Sequence, residues 1–284
     1  MSAPEPSSDA DGLVRVYPAA ETGGVGFVWV HGGGFAGGDL DMPEADAVAR
    51  FLAARGITVA SVDYRLAPLP EEWARHSGES ARSGSHYPAA SDDVVHAWRW
   101  TIANAARLGL DAERIALGGA SAGGNLVAGA VLRMLADGAD ALPARVVLAY
   151  PTLHAVQPAP SDTLAQVLAN TPADRRFTPE VILGMYENFL GRGVDDAPVP
   201  AIPGRASASD LRRFPATLIV DSELDDLRIS GEAFAAALIA AGRSVELVTE
   251  PGTTHGHLNQ PDDPAFARSM QLIADRLTTL SVTR

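Results

Sequence analysis

"RIALGGASAGGNLVAGAVLRML", residues 114–135, is the stretch that decides the fold. It opens as an apolar run, turns at glycines and continues with apolar residues at helical spacing. A buried strand is therefore expected to feed a helix across a tight turn. Inside it, Gly119-Ala120-Ser121-Ala122-Gly123 is a G-x-S-x-G pattern. Such a serine sits on a strained strand-to-helix turn, with its hydroxyl presented at the carboxyl edge of a sheet. Short patterns recur by chance, and the strand–turn–helix setting is what gives this one weight.

Outward from that turn, apolar runs and helical periods alternate. Strands are expected over 25–30, 57–63, 114–119, 145–150, 216–221 and 244–250. Helices are expected from Val48 towards Gly56, from a Ser91 cap through Val94, Trp98 and Ile102, and over 125–135, 231–242 and 264–280. The alternation predicts an α/β fold, a mostly parallel central sheet with helices on both faces, in a single domain over 1–284. Two stretches break the rhythm. Residues 69–87 are polar and read as a long loop insertion. Residues 151–215 are proline-rich, carry one amphipathic helix near 179–190, and read as a cap-like excursion from the sheet.

Composition narrows the function. A net charge of −13 argues against nucleic acid or an anionic membrane as partner, and all the positive charge is arginine. With no cysteine, disulfides, thiolate metal sites and cysteine nucleophiles are excluded. The segment 1–12 is acidic and polar, and no apolar run is long enough to span a bilayer, so a cytoplasmic chain is expected.

A serine hydroxyl attacks only when a base takes its proton and a third group orients that base. In an open parallel sheet these groups collect beyond the carboxyl ends of the strands. After 216–221 comes "SELDDL" with Asp225 and Asp226, and after 244–250 comes "PGTTHGHL" with His255 and His257. The order serine, acid, histidine is that of α/β-hydrolases. His255-x-His257 is too sparse a ligand set for a metal site, and no cofactor is expected. The early run "VWVHGGGFAGGDL" (28–40) supplies what attack on a carbonyl needs, glycines that expose backbone N–H groups to an oxyanion. His31 is expected to hold that loop by hydrogen bonds. Phe35, Tyr186, Phe189 and His257 are candidates for a substrate pocket, with core packing the competing assignment for the two residues of the 179–190 helix.

"HGGGF" (31–35), "VDYRLAP" (62–68), "YPAASDD" (87–93), "GGASAGGNL" (118–126), "SELDDLR" (222–228) and "PGTTHGHL" (251–258) together resemble the hormone-sensitive-lipase-like branch of the α/β-hydrolases. The resemblance spans most of the chain. It implies Ser121 as nucleophile, Asp225 as acid, His255 as base, and Gly33, Gly34 and Ala122 as oxyanion donors. It also implies hydrolysis of short- to medium-chain carboxylic esters without a cofactor, and a homodimer as an available assembly. Amide, lactone or carbamate hydrolysis, or deacetylation of a natural product, would use the same machinery, and some members of the branch only bind ligands. The chain departs from the family pattern at Ala120, usually Asp, at Ile229, usually an acid, and at His257, usually aromatic. Only residues 1–24 precede the first strand, where the family has a longer helical lid segment. A reduced cap is therefore expected, with 69–87 as the candidate replacement cover.

Overall fold

In the computed structural model, residues 5–169, 171 and 176–280 are described, the side chains of residues 76 and 77 excepted. Val25–Val30 is buried at every position, so a strand of this sequence is satisfied only between two layers. It forms β3 of an eight-stranded sheet. The strands are β1 (Ser7–Asp9), β2 (Val14–Tyr17), β3, β4 (Ile57–Val62), β5 (Ile115–Ala120), β6 (Val146–Ala149), β7 (Thr217–Ser222) and β8 (Val245–Glu250), in the order β1-β2-β4-β3-β5-β6-β7-β8. All neighbours from β4 to β8 pair in parallel, and β1 and β2 add antiparallel at one edge.

The period-two alternation of each strand divides the core between the faces. Val28 and Val30 of β3, Leu117 of β5 and Leu148 of β6 join one apolar cluster, with residues of α3 (Ala89–Ala103), α4 (Ala122–Ala136), α6 (Pro179–Leu190) and α8 (Arg228–Ala240). Phe27 and Trp29, Ala116 and Val147 join the other, beneath α1 (Pro43–Ala53) and α9 (Pro264–Thr278). The expected α/β class holds. Because the strands run parallel, the turns after β3, β5, β7 and β8 all open at one edge. That edge gathers residues 31–34, 121, 225 and 255.

Four expectations need correction. The strand at 25–30 is not the first, since β1 and β2 precede it and lengthen the sheet. Residues 69–87 are not a plain loop. They contain α2 (Glu71–Ser77) and a bridge between Leu69 and Arg82. Ser91 is no cap: α3 begins at Ala89, and the Ser91 hydroxyl accepts from Arg133 Nη1 at 2.9 Å. The excursion 151–215 carries α5 (Asp162–Ala169) and α7 (Ala208–Leu211) besides the expected α6. Thr178 caps α6 with its side chain, Pro179 opens it, and a left-handed Gly191 ends it.

Candidate active site

Ser121 leaves β5 with φ at +53°, a conformation that a non-glycine residue holds only when its surroundings impose it. Those surroundings are backbone. The Ser121 amide donates to Ala149 O at 2.9 Å, and its carbonyl accepts from Asn125 N at 3.2 Å. Gly123 is required two residues on, because a Cβ there would overlap the Val30 carbonyl oxygen and push α4 off β3. Only 8% of Ser121 is exposed.

His255 Nε2 lies 2.9 Å from Ser121 Oγ, and His255 Nδ1 lies 2.7 Å from Asp225 Oδ2. A carboxylate on Nδ1 keeps the proton there and leaves Nε2 free to accept. Asp225 is fully buried, and its other oxygen accepts from the Leu227 amide at 2.9 Å. Burial by itself would lower the His255 pKa. The charge and hydrogen bond of Asp225, aided by Glu44, outweigh it and raise the imidazole above its ordinary value. Burial and then the charge of Asp225 push the carboxyl of Asp221, also buried, well above the usual range.

The glycine turn after β3 faces the serine. Gly33 (φ +119°) and Gly34 (φ +59°) take left-handed conformations, and the Gly33 carbonyl accepts from Ala36 and Gly37 to close the loop. No acceptor among the described residues takes up the Gly33 or Gly34 amide. The Ala122 amide is the first of α4, one of the donors a helix leaves unsatisfied. Gly32 is different. Its amide donates to Glu44 Oε1 at 2.6 Å. His31 is held as expected, stacked on Tyr64 at 4.5 Å with Nδ1 2.7 Å from Gly32 O. Burial lowers its pKa, so the ring is neutral and donates from Nδ1.

Glu44 is the residue that the sequence hid. An acid in the first turn of α1 reads as an ordinary helix start. Yet Glu44 is 2% exposed and joins three remote groups: the Gly32 amide, the Tyr150 hydroxyl at 2.5 Å and Asn259 Nδ2 at 3.2 Å. Tyr150 in turn stands edge-on to His255 at 5.1 Å. One carboxylate therefore braces both the glycine turn after β3 and the wall beside the imidazole.

The four pocket candidates lie elsewhere than expected. Phe35 and Phe189 stack at 4.1 Å, Tyr186 meets Phe35 at 5.4 Å, and all three are buried in the core. The Tyr186 hydroxyl lies 2.8 Å from Asn125 Oδ1. These rings fasten the glycine turn after β3 to α6 and present no face to a ligand. From the same helix it is Met185 that approaches Gly34, with Sδ 3.2 Å from where a Cβ would stand. His257 is also buried, between the hydroxyls of Ser222 and Ser269. Asp226, the alternative to Asp225, faces Arg176 instead. Just past the glycine turn, Arg82 of the 69–87 insertion donates to the Ala36 carbonyl.

Comparison with known proteins agrees with this geometry. Residues 81–259 match the family described as "alpha/beta hydrolase fold". Carboxylesterase NlhH of Mycobacterium tuberculosis is 39% identical over 259 residues, covering 88% of this chain and 73% of that protein. Ethyl acetate hydrolase of Pseudomonas putida is 33% identical over 82% of this chain and 65% of its own length. The crystal structure of esterase LipW from Mycobacterium marinum superposes with a TM-score of 0.75 at 32% identity, over 97% of this chain and 80% of that one. The chain belongs to the α/β-hydrolase family. Within it, the protein is a carboxylic ester hydrolase, as its esterase relatives and structural neighbours support.

Proposed function

We propose that the protein is a serine carboxylesterase in which Ser121 is the nucleophile, His255 the base and Asp225 the group that orients the imidazole. The observation that carries this reading is the unbroken row from Asp225 through His255 to Ser121, with steps of 2.7 and 2.9 Å. As Ser121 Oγ attacks the ester carbonyl carbon, its proton passes to His255 Nε2 and the carbonyl oxygen becomes an oxyanion. The amides of Gly33, Gly34 and Ala122 receive that charge. Loss of one such donor costs about 3 kcal/mol of transition-state stabilisation in comparable sites. Collapse expels the alcohol, which takes the proton from Nε2, and leaves the acyl group on Oγ. Water then attacks the acyl-enzyme with His255 again as base, and the acid departs.

The substrates are esters of short to medium acyl chains. Supporting this, Met185 stands over Gly34 and the Phe35–Phe189 stack fills the space behind the loop. Segment 69–87 and α6 serve as the cover: Trp73 of α2 lies beside Gly184 of α6, and Asn188 donates to Pro68 O at 2.8 Å. The cytoplasm is the proposed compartment, and no described helix is long and apolar enough to cross a membrane.

The test is a rate series on p-nitrophenyl esters from acetyl to dodecanoyl, with Ser121→Ala beside the wild type. The expected outcome is a maximum at short chains, abolished in the variant, with a fluorophosphonate labelling Ser121. A folded wild type inert on every chain length would overturn the reading.

A further inference from the structure

Asp226 follows Asp225 in the chain, yet its carboxylate points into the excursion rather than at His255. Arg176 Nε lies 2.8 and 3.0 Å from its two oxygens, and Arg176 Nη2 lies 2.8 Å from Oδ1. The Phe177 amide donates to Oδ2 at 2.9 Å. Arg176 Nη1 donates to the carbonyl of Leu168 at the end of α5, also at 2.9 Å. The Asp226 side chain is only 9% exposed, so this forked, charge-assisted contact is shielded from the screening that weakens surface pairs.

The contact has a consequence at the triad. The half-buried Phe177 ring stands edge-on to the His255 imidazole, 4.7 Å between centroids. His255 thus meets two rings, Tyr150 and Phe177. Tyr150 is anchored to the sheet by its amide, which donates to Val220 O at 2.7 Å, and to α1 through Glu44, whereas Phe177 arrives on the excursion and is tied down by its neighbour Arg176 and its own amide.

We propose that Asp226 is a positioning residue. Through Arg176 and the Phe177 amide it holds the Phe177 ring against His255, and this ring sets a preference for esters of aromatic alcohols. The proposal rests on the esterase mechanism above. His255 Nε2 must serve both Ser121 Oγ and the departing alcohol oxygen, so the alcohol passes along the imidazole and meets whatever packs on it. An aromatic alcohol gains a ring contact there, and an ethyl group does not reach it.

The experiment compares kcat/KM for benzyl acetate and ethyl acetate, which share an acyl group and have leaving groups of similar basicity. Phe177→Ala is expected to lower the benzyl-to-ethyl ratio about fivefold, the scale of one aromatic contact. Asp226→Asn and Arg176→Gln should reproduce most of that fall, and Asp226→Glu should restore more than half of it. A second readout needs no catalysis: hydrogen exchange at the Phe177 amide should quicken about tenfold or more once its acceptor is weakened. An unchanged ratio with unchanged exchange in Asp226→Asn overturns the proposal. So does a parallel fall of both esters, which would make the pair purely structural. Arg176→Gln, at a more exposed position, keeps the test open should Asp226→Asn fail to fold. Should the wild type take no fluorophosphonate at Ser121, the esterase mechanism fails instead, and amide exchange still decides the clamp.

Discussion

Two serine–histidine clusters flank the ring of Tyr150, and only one of them has the makings of a catalyst. On one side His255 lies 5.1 Å from the ring and connects Ser121 to Asp225. On the other, His257 lies 5.0 Å from the same ring and connects Ser222, at 2.8 Å, to Ser269, at 2.9 Å. Both imidazoles touch a serine hydroxyl, and burial lowers both pKa values. At His255 the adjacent Asp225 charge reverses the sign. At His257 burial is joined by repulsion from His255, and the pKa falls to about 4. Glu250 stands one hydroxyl away, accepting from Ser269 at 3.2 Å, and is paired with Arg268. A serine beside a histidine is therefore not yet a nucleophile. The carboxylate on the far nitrogen makes the difference, together with a hydroxyl that is slightly exposed at Ser121 and fully buried at Ser222 and Ser269.

Asp225→Asn should erase the contrast most completely, because it leaves His255 with the neutral partners that His257 has. The expected loss in kcat is about 10⁴-fold, measured on p-nitrophenyl acetate. With neutral His255 as the proposed base, kcat/KM should fall as pH drops through a pKa above 6.5, the ordinary value raised by Asp225. Retention of activity within about tenfold would show that the carboxylate is not what separates the clusters.

Glu44→Gln probes the ring that the two clusters share. It removes the charge from a carboxylate that holds both the Gly32 amide and the Tyr150 hydroxyl. A fall of about 10²-fold in kcat with little change in KM is expected, as for a displaced oxyanion loop. A rise in KM alone would assign Glu44 to substrate binding.

His257→Phe should act on stability and spare the chemistry. Two buried hydroxyls, Ser222 and Ser269, would lose their shared partner, which destabilises by about 2 kcal/mol in urea unfolding, while kcat/KM stays within about threefold. The pH dependence has a definite sign. The folded-state pKa of His257 lies below its unfolded value of about 6.5, so its contribution to stability is present above pH 6.5 and lost as pH falls towards 4. The variant should show a flatter stability profile across that window. Loss of activity with the fold intact would mean that the second cluster is coupled to the first.

Much of the site was legible because it is written in local signals. A parallel sheet buried on both faces imposes continuous apolar runs, and strands β3 to β7 are such runs. The turns after them carry glycine, serine, acid and histidine in an order that few folds share. What escaped were short or polar elements. β1 is "SSD" and α2 is "EEWARHS", segments held by pairing or packing with remote residues and bearing little pattern of their own. Phe35, Tyr186 and Phe189 escaped for another reason, since the same ring serves a pocket wall or a packed core, and composition does not separate the two.

The amino-acid sequence by itself determined the parallel strands β3 to β8, the strand–turn–helix at Ser121 and the chain order of serine, acid and histidine, because dihedral preference and apolar periodicity act over a few residues. Only the tertiary structure decided which of two acids and two histidines face each other and what braces the loop. Asp226 finds Arg176 from 50 positions away, and Glu44 gathers groups 12, 106 and 215 positions distant. Buried charges and hydroxyls take their partners from whatever the packing brings within about 3 Å, and that proximity has no signature along the chain.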